Sequence, residues 1–121
     1  MDARLRVDAA TGIIHLDGAG FWRAEDIEHV LDRLAALVAV SHAAGRRALV
    51  MVDLQSNGAQ SACTVDRVRR RSASIYGPQD RLAVILCSTL LKRQVGRVER
   101  AAAFGTFDFA SDAEAWLQET K

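Results

Sequence analysis

The sequence predicts a single-domain α/β fold spanning residues 1–121: a mixed sheet of about five strands flanked by about four helices, in the order ββαβαβαβα. Three observations predict it: an alternating hairpin at the start, two continuous apolar runs further on, and amphipathic segments between them. Strands that alternate with helices favour a mostly parallel sheet joined by right-handed crossovers. The pairing of the hairpin with the other strands has more than one acceptable solution, so the strand order stays open.

The chain begins with a predicted β-hairpin and a long helix. Residues 5–8 and 13–17 alternate apolar and polar positions on either side of a turn, where Gly12 can supply a positive φ. The segment 24–44 then carries a stripe at helical spacing, and Gly45 is placed as its C-cap. The stripe consists of Ile27, Val30, Leu31, Leu34, Leu37, Val38 and Ser41.

Two apolar runs, 48–52, which is followed by Asp53, and 82–87, are typical of parallel strands covered on both faces. Thr64 is the predicted N-cap of the helix after the first run, and Ser88 is the predicted N-cap of the helix after the second. The inward residues predicted for these helices are Val65, Val68, Ser72, Ile75, Leu91, Val95, Val98 and Ala102. A last strand over 104–109 precedes a helix that Ser111 caps, with Trp116 and Leu117 inward.

Composition indicates an ordered globular protein, since half of the residues are apolar and only one is proline. The N-terminal residues lack the apolar core of an export signal, and no apolar run approaches the roughly 20 residues of a membrane span. Cys63 and Cys87 form no CxxC motif, so we expect buried free thiols in a reducing compartment. These features favour a cytoplasmic protein.

Charge is distributed unevenly along the chain. Residues 65–100 contain nine basic and three acidic side chains, a net charge of +6, and the remainder carries −5. The arginines Arg67, Arg70 and Arg71 form either the solvated face of an amphipathic helix or a surface that attracts anions and acidic partners. A pI near 8, few aromatic residues and no binding motif argue against nucleic acid.

The sequence contains no recognisable catalytic or metal-binding motif. His15, His29 and His42 are far apart and have no HxH or HExxH spacing, so we expect no metal. No GxSxG, GxxxxGK or GxGxxG occurs, and we expect no cofactor.

The carboxyl ends of the predicted parallel strands are the place where binding groups gather in open α/β sheets. Asp53 ends one strand there, and Ser88 follows the next. Polar residues of the same region are Gln55, Ser56, Asn57, Gln60, Ser61, Cys63, Thr64 and Thr89. Serine, asparagine and glycine are also the residues that strand-to-helix turns require, so turn formation and capping stay an alternative.

Several segments resemble the SpoIIAA-like family, that is, the STAS domains of anti-sigma-factor antagonists and the related STAS/SEC14-type small bacterial proteins. They are the hairpin, Phe21-Trp22 leading into Glu25-Asp26, Val52-Asp53-Leu54, and the segment 113–117. The resemblance implies a sheet flanked by helices, no cofactor, and protein association, often switched by phosphorylation of a serine that begins the helix after the third strand. In the family that serine lies in Asp-Ser-Ser-Gly; here the stretch reads Gln60-Ser61-Ala62-Cys63, and only Ser61 matches.

Three functions follow as hypotheses. The first is a non-enzymatic regulatory or protein-interaction domain that binds through the loop 55–64 and the adjacent basic helix, as a homodimer or with another protein. The second is a carrier or sensor of a small apolar ligand or lipid, suggested by the SEC14-type relatives, with a pocket lined by Met51, Cys87 and Trp22. The third is an enzyme that uses Asp53, Ser61 or Ser88, which requires those groups to converge.

Overall fold

The computed structural model describes residues 2–56, 60–96 and 103–119, and there five strands and four helices follow one another in the predicted order. The predicted α/β class and the order ββαβαβαβα are therefore confirmed. The bounds are β1 Asp2–Val7, β2 Ile14–Ala19, α1 Ala24–Ala43, β3 Leu49–Ser56, α2 Ala62–Ile75, β4 Arg81–Ile85, α3 Thr89–Gly96, β5 Ala103–Phe107 and α4 Ala110–Leu117.

The sheet has the order β1-β2-β3-β4-β5, so each strand pairs with its neighbours in sequence. β1 runs antiparallel to β2, with Leu5 opposite Leu16, and the three pairs from β2 to β5 are parallel. The predicted hairpin and parallel pairing are confirmed. Because successive crossovers advance in one direction, right-handed connections place α1, α2 and α3 on the same face.

The two faces of the sheet carry separate apolar cores. On the three-helix face, Ile27 and Leu34 of α1 and Leu91 of α3 pack with Val50 and Val84 of the sheet. On the opposite face, called here the α4 face, the last helix packs on the strands through Ala113 and Leu117, which contact Ile13, Met51 and Ile85. Successive residues of β3 and β4 pack alternately into the two cores, as expected for strands covered on both sides.

The predicted stripe of α1 is confirmed at Ile27, Val30, Leu31, Leu34 and Val38, which are buried. The other two predicted members, Leu37 and Ser41, are partly buried. Gly12 in the hairpin turn and Gly45 after α1 both have a φ of +75°. Residues with a Cβ adopt this left-handed region only rarely. The C-cap of α1 is Ala44, so the predicted cap at Gly45 is wrong by one residue. The hairpin turn therefore forms where the sequence predicts it, and α1 ends at Ala43, one residue before the predicted end.

Two predicted helix caps are wrong by a few residues. α2 begins at Ala62, and its N-cap is Ser61, whose Oγ accepts a hydrogen bond from the Thr64 N–H at 3.2 Å. Thr64 thus lies in the first turn and not at the cap. α4 begins at Ala110 after an N-cap at Phe109 that makes no side-chain bond, so Ser111 lies inside the helix.

The prediction for Ser88 is confirmed, because its Oγ accepts from the Leu91 N–H at 3.1 Å at the start of α3. Leu91 is buried as predicted, whereas Val98 and Ala102 lie outside the described residues. β3 extends beyond Asp53 to Ser56, and the last strand covers 103–107 and not 104–109.

The predicted burial of the two cysteines is wrong, since both are free and exposed. Cys63 is the second residue of α2, beside the inward stripe but not on it. Cys87 follows β4 by two residues, past the last buried position of that segment at Leu86. Their environment is therefore the protein surface and not the core.

Candidate functional site

The carboxyl ends of β2, β3, β4 and β5 meet at one edge of the sheet because these strands are parallel. The loops that follow them begin α1, α2, α3 and α4 at that edge, called here the carboxyl edge. It contains the polar residues that the sequence singled out, except that Asn57 lies outside the described residues. The side chains at this edge make different contacts, and most of them cap a helix or form hydrogen bonds that hold the loops together.

Gln60 connects three segments of the carboxyl edge. Its side-chain Oε1 accepts from the Trp22 N–H at 2.8 Å, and its Nε2 donates to the Gly20 carbonyl at 3.3 Å, both in the loop before α1. Its backbone N–H donates to Gln94 Oε1 at 2.8 Å, and Gln94 Nε2 donates back to the Gln60 carbonyl at 2.7 Å. Gln60 is therefore a structural link between the loop before α1, the loop before α2, and α3.

Thr64 makes a second link to the same loop. It is 2% exposed, and its Oγ1 donates to the Trp22 carbonyl at 2.6 Å. Trp22 is also buried, and its indole Nε1–H donates to the Ala19 carbonyl at 3.1 Å. Thr64 accordingly fixes the start of α2 against the start of α1.

Ser61 is the N-cap of α2 and is partly buried. Besides capping the helix, its Oγ–H donates to Thr64 Oγ1 at 3.1 Å. Its hydroxyl lies at the positive end of the helix dipole, where a negative charge is stabilised. This is the position that the resemblance assigns to a phosphorylated serine.

Asp53, Ser61 and Ser88 do not converge. Asp53 Oδ1 accepts from the Gln55 N–H at 3.0 Å, and its place in the strand puts it on the α4 face, opposite α2. Ser88 caps α3, and Ser56 is exposed at the end of β3. An enzyme built on these three residues requires them to lie within hydrogen-bond reach of one another. Within residues 2–56, 60–96 and 103–119, no hydrogen bond joins any two of them.

The arginines of α2 are engaged in ion pairs within the chain. Arg67 and Arg71 donate to the two carboxylate oxygens of Glu28 on α1, at 3.0 and 2.7 Å. Hydrogen bonds from Arg71 and Arg67 hold the pKa of Glu28 below its ordinary value. Arg70 pairs with Asp66 of its own helix. α2 therefore presents a solvated face whose charge is partly neutralised.

Three large apolar side chains at the carboxyl edge were not predicted as functional residues. Phe21, Leu90 and Phe109 are 61%, 60% and 66% exposed, and they follow β2, β4 and β5 respectively. The signal was present in the sequence: each is a large apolar residue in a loop or off the buried stripe of its helix. We refer to these three side chains as the apolar edge.

A cavity of about 120 Å³ lies between α2 and the three-helix face of the sheet. Trp22 lines it as predicted, but Met51 and Cys87 do not. Met51 belongs to the α4 face because neighbouring strand residues point in opposite directions, and Cys87 is on the surface. The remaining lining is mostly apolar and includes Leu31, Val68 and Phe104.

Comparison with known proteins adds no family: no family model matches the chain, and neither does any curated protein. Among the described residues, no helix combines the length and apolar character needed to cross a membrane. No group of three His, Cys, Asp or Glu side chains in the same ranges is arranged to hold a metal ion.

Proposed function

We propose that this chain is a non-enzymatic regulatory domain of the STAS type, which binds a protein partner at its carboxyl edge. The observation that carries the proposal is the apolar edge. Parallel strands lie about 4.8 Å apart, so side chains that follow β2, β4 and β5 are spread over roughly 15 Å of surface. Large apolar side chains grouped in this way are typical of interaction sites.

The charges near the apolar edge suggest the chemistry of the partner. On α2, Arg69 and Arg70 share the single carboxylate of Asp66, which leaves a net positive charge. On α3, Lys92 and Arg93 are exposed beside Leu90, and Arg93 forms no ion pair with any residue among 2–56, 60–96 and 103–119. A partner surface that combines apolar and acidic side chains complements this arrangement.

Ser61 supplies a place where such binding can be switched. A phosphoryl group there adds nearly two negative charges at the N-terminus of α2, in the middle of the carboxyl edge. It stabilises the helix end through the dipole and repels acidic side chains of a partner. The proposed switch therefore lowers the affinity for an acidic partner without unfolding the domain.

The test is affinity purification with chemical cross-linking from the native cells, comparing variants of exposed apolar residues. Leu90→Ser and Phe109→Ser should each lose the partner that the wild-type chain captures. Val40→Ser is the matched control, because Val40 is 62% exposed but lies near the end of α1, at the opposite edge of the sheet. Equal capture by all three variants would contradict the proposal.

The switch is tested with Ser61→Asp and Ser61→Ala in the same experiment. Asp is a good N-cap and brings a negative charge, whereas Ala removes the cap at a cost of about 1 kcal/mol. We expect Ser61→Asp to lose the partner and Ser61→Ala to keep it. Light scattering distinguishes a homodimer, whose mass is twice the 13.2 kDa of the chain, from binding to a different protein.

A further inference from the structure

One polar group that lines the cavity beneath α2, the Ser72 hydroxyl, is buried and has no hydrogen-bond partner among the described residues. Ser72 lines the cavity and is 5% exposed. Its hydroxyl forms no hydrogen bond with any group in residues 2–56, 60–96 and 103–119, including the carbonyl one turn earlier that helical serines often use. A buried hydroxyl without a partner is unfavourable, and such groups call for an explanation.

The size and lining of the cavity indicate which kind of molecule could form a hydrogen bond with the Ser72 hydroxyl. Protein interiors contain few voids larger than one water molecule, and an apolar cavity of about 150 Å³ is large enough to bind benzene. The cavity here is about 120 Å³, and its lining follows α2 from Thr64 to Tyr76. At 1.5 Å per residue, the lining residues of α2 span roughly 18 Å of helix.

We propose that this cavity binds one small, predominantly apolar molecule, a single ring or a short alkyl chain, that carries one oxygen atom hydrogen-bonded to Ser72. Apolar side chains such as Leu31, Val68 and Leu91 surround the hydrocarbon part. The Ser72 hydroxyl donates to a carbonyl or hydroxyl oxygen of the ligand, or accepts from its hydroxyl. No bond is made or broken, and the site is independent of the apolar edge.

One end of the cavity lies at the carboxyl edge. Gln60 and Gln94 line the cavity there and are joined by the two reciprocal hydrogen bonds described above. The Gln60–Gln94 pair therefore forms a polar end of the lining.

Phenol and toluene are suitable probes, because their rings are equal in size and one bears a hydroxyl where the other bears a methyl group. Methyl-resolved NMR titration of the full chain should show saturable shifts at Leu31, Val68 and Leu91, and no shifts at Ile13, Ile85 and Leu117 of the α4 face. Absence of saturable shifts with both probes, or shifts confined to the α4 face, would overturn the proposal.

The variant Ser72→Ala tests the polar contact. The ratio of phenol affinity to toluene affinity should fall by roughly 3- to 10-fold, the effect of one neutral hydrogen bond. Ser74→Ala is the matched control, since Ser74 is an exposed serine on the same helix and does not line the cavity. An unchanged ratio in Ser72→Ala would refute the assignment of the ligand class.

Two further measurements, one of the location of the site and one of the state of the Ser72 hydroxyl, do not depend on the ratio of the two probe affinities. Val68→Phe places a ring in the cavity and should abolish binding of both probes; retained binding would exclude this cavity. Ser72→Ala should also raise the melting temperature of the unliganded chain relative to Ser74→Ala, because it removes an unsatisfied buried hydroxyl. A lower melting temperature would show that the hydroxyl is already satisfied.

Discussion

His42 Nε2 lies 2.9 Å from Oδ2 and 3.0 Å from Oδ1 of Asp80, a carboxylate that is only 1% exposed. A carboxylate can only accept, so Nε2 carries the proton of this hydrogen bond. Asp80 also accepts from the backbone N–H groups of Ala48, at 2.6 Å, and Gly77, at 2.8 Å. One side chain thus connects the end of α1, the approach to β3 and the turn before β4.

Asp80→Ala is expected to lower the free energy of unfolding by about 3 kcal/mol or more, because it leaves two backbone donors unsatisfied near the core. His42→Ala should have a smaller effect, about 1 kcal/mol, since those backbone donors keep their acceptor. Urea unfolding of both variants measures the difference. Equal losses would show that the histidine, and not the backbone donors, accounts for the stabilisation by Asp80.

Gly18 allows the Trp22 indole to lie against the sheet. A Cβ at residue 18 would stand 2.1 Å from the Trp22 Cζ2 atom, far inside van der Waals contact. We expect Gly18→Ala to displace Trp22 and to lower the free energy of unfolding by about 1–3 kcal/mol. The change should also alter the near-ultraviolet circular dichroism of the tryptophan.

The control for this clash is the same substitution in a Trp22→Leu background. A smaller side chain at residue 22 removes the atoms that the new Cβ meets, so most of the additional loss should disappear. The measured quantity is the difference between the effects of Gly18→Ala on the free energy of unfolding in the two backgrounds. If Gly18→Ala is equally destabilising in both backgrounds, its effect comes from the strand and not from Trp22.

The fold was predictable because its signals are local. The stripe from Ile27 to Val38, the apolar runs of β3 and β4, and the positive-φ glycines Gly12 and Gly45 each specify one element by themselves. The strand order was not predictable in the same way, since the hairpin leaves several pairings acceptable. The observed sequential order follows from crossovers that all advance in one direction.

The site was predictable only in part, because the roles of its residues depend on contacts between distant segments. Gln60 was chosen as a binding residue, yet its amide bonds to Trp22 and Gly20, about forty positions earlier in the chain. Thr64 was predicted as the N-cap of α2, but the N-cap is Ser61. The identity of a cap depends on where the helix begins, and sequence patterns locate that point only to within a few residues. The cavity near Ser72 has no sequence signal at all.

The exposure of both cysteines predicts that each thiol reacts in the native state. Cys63 and Cys87 are free and lie on the surface, so a small disulfide reagent needs no unfolding to reach them. We expect two equivalents of thiol to react without denaturant, at rates close to those in urea. Cys63→Ser and Cys87→Ser should each leave one reactive equivalent. Slow reaction that accelerates only in denaturant would show that a thiol is buried.

Glu28 links α1 to α2, and its ion pairs make that link dependent on pH. Arg71 and Arg67 hold the pKa of Glu28 below the ordinary value of 4.5 that applies in the unfolded chain. At a pH between the folded-state and unfolded-state pKa values of Glu28, the unfolded chain binds more protons than the folded chain. The stabilisation by the Glu28 ion pairs is therefore fully present above about pH 4.5 and is lost as the pH falls through the folded-state pKa.

Glu28→Gln should therefore unfold at lower urea concentration than the wild type at pH 7, and the two should approach each other at pH 3 and below. High salt should reduce the difference at pH 7, because these pairs are open to solvent and are screened. Arg71 contributes more than Arg67, since it also pairs with Asp32 at 2.8 Å, so Arg71→Gln should exceed Arg67→Gln in effect. A difference that persists unchanged at pH 3 would mean that Glu28 acts through packing and not through its charge.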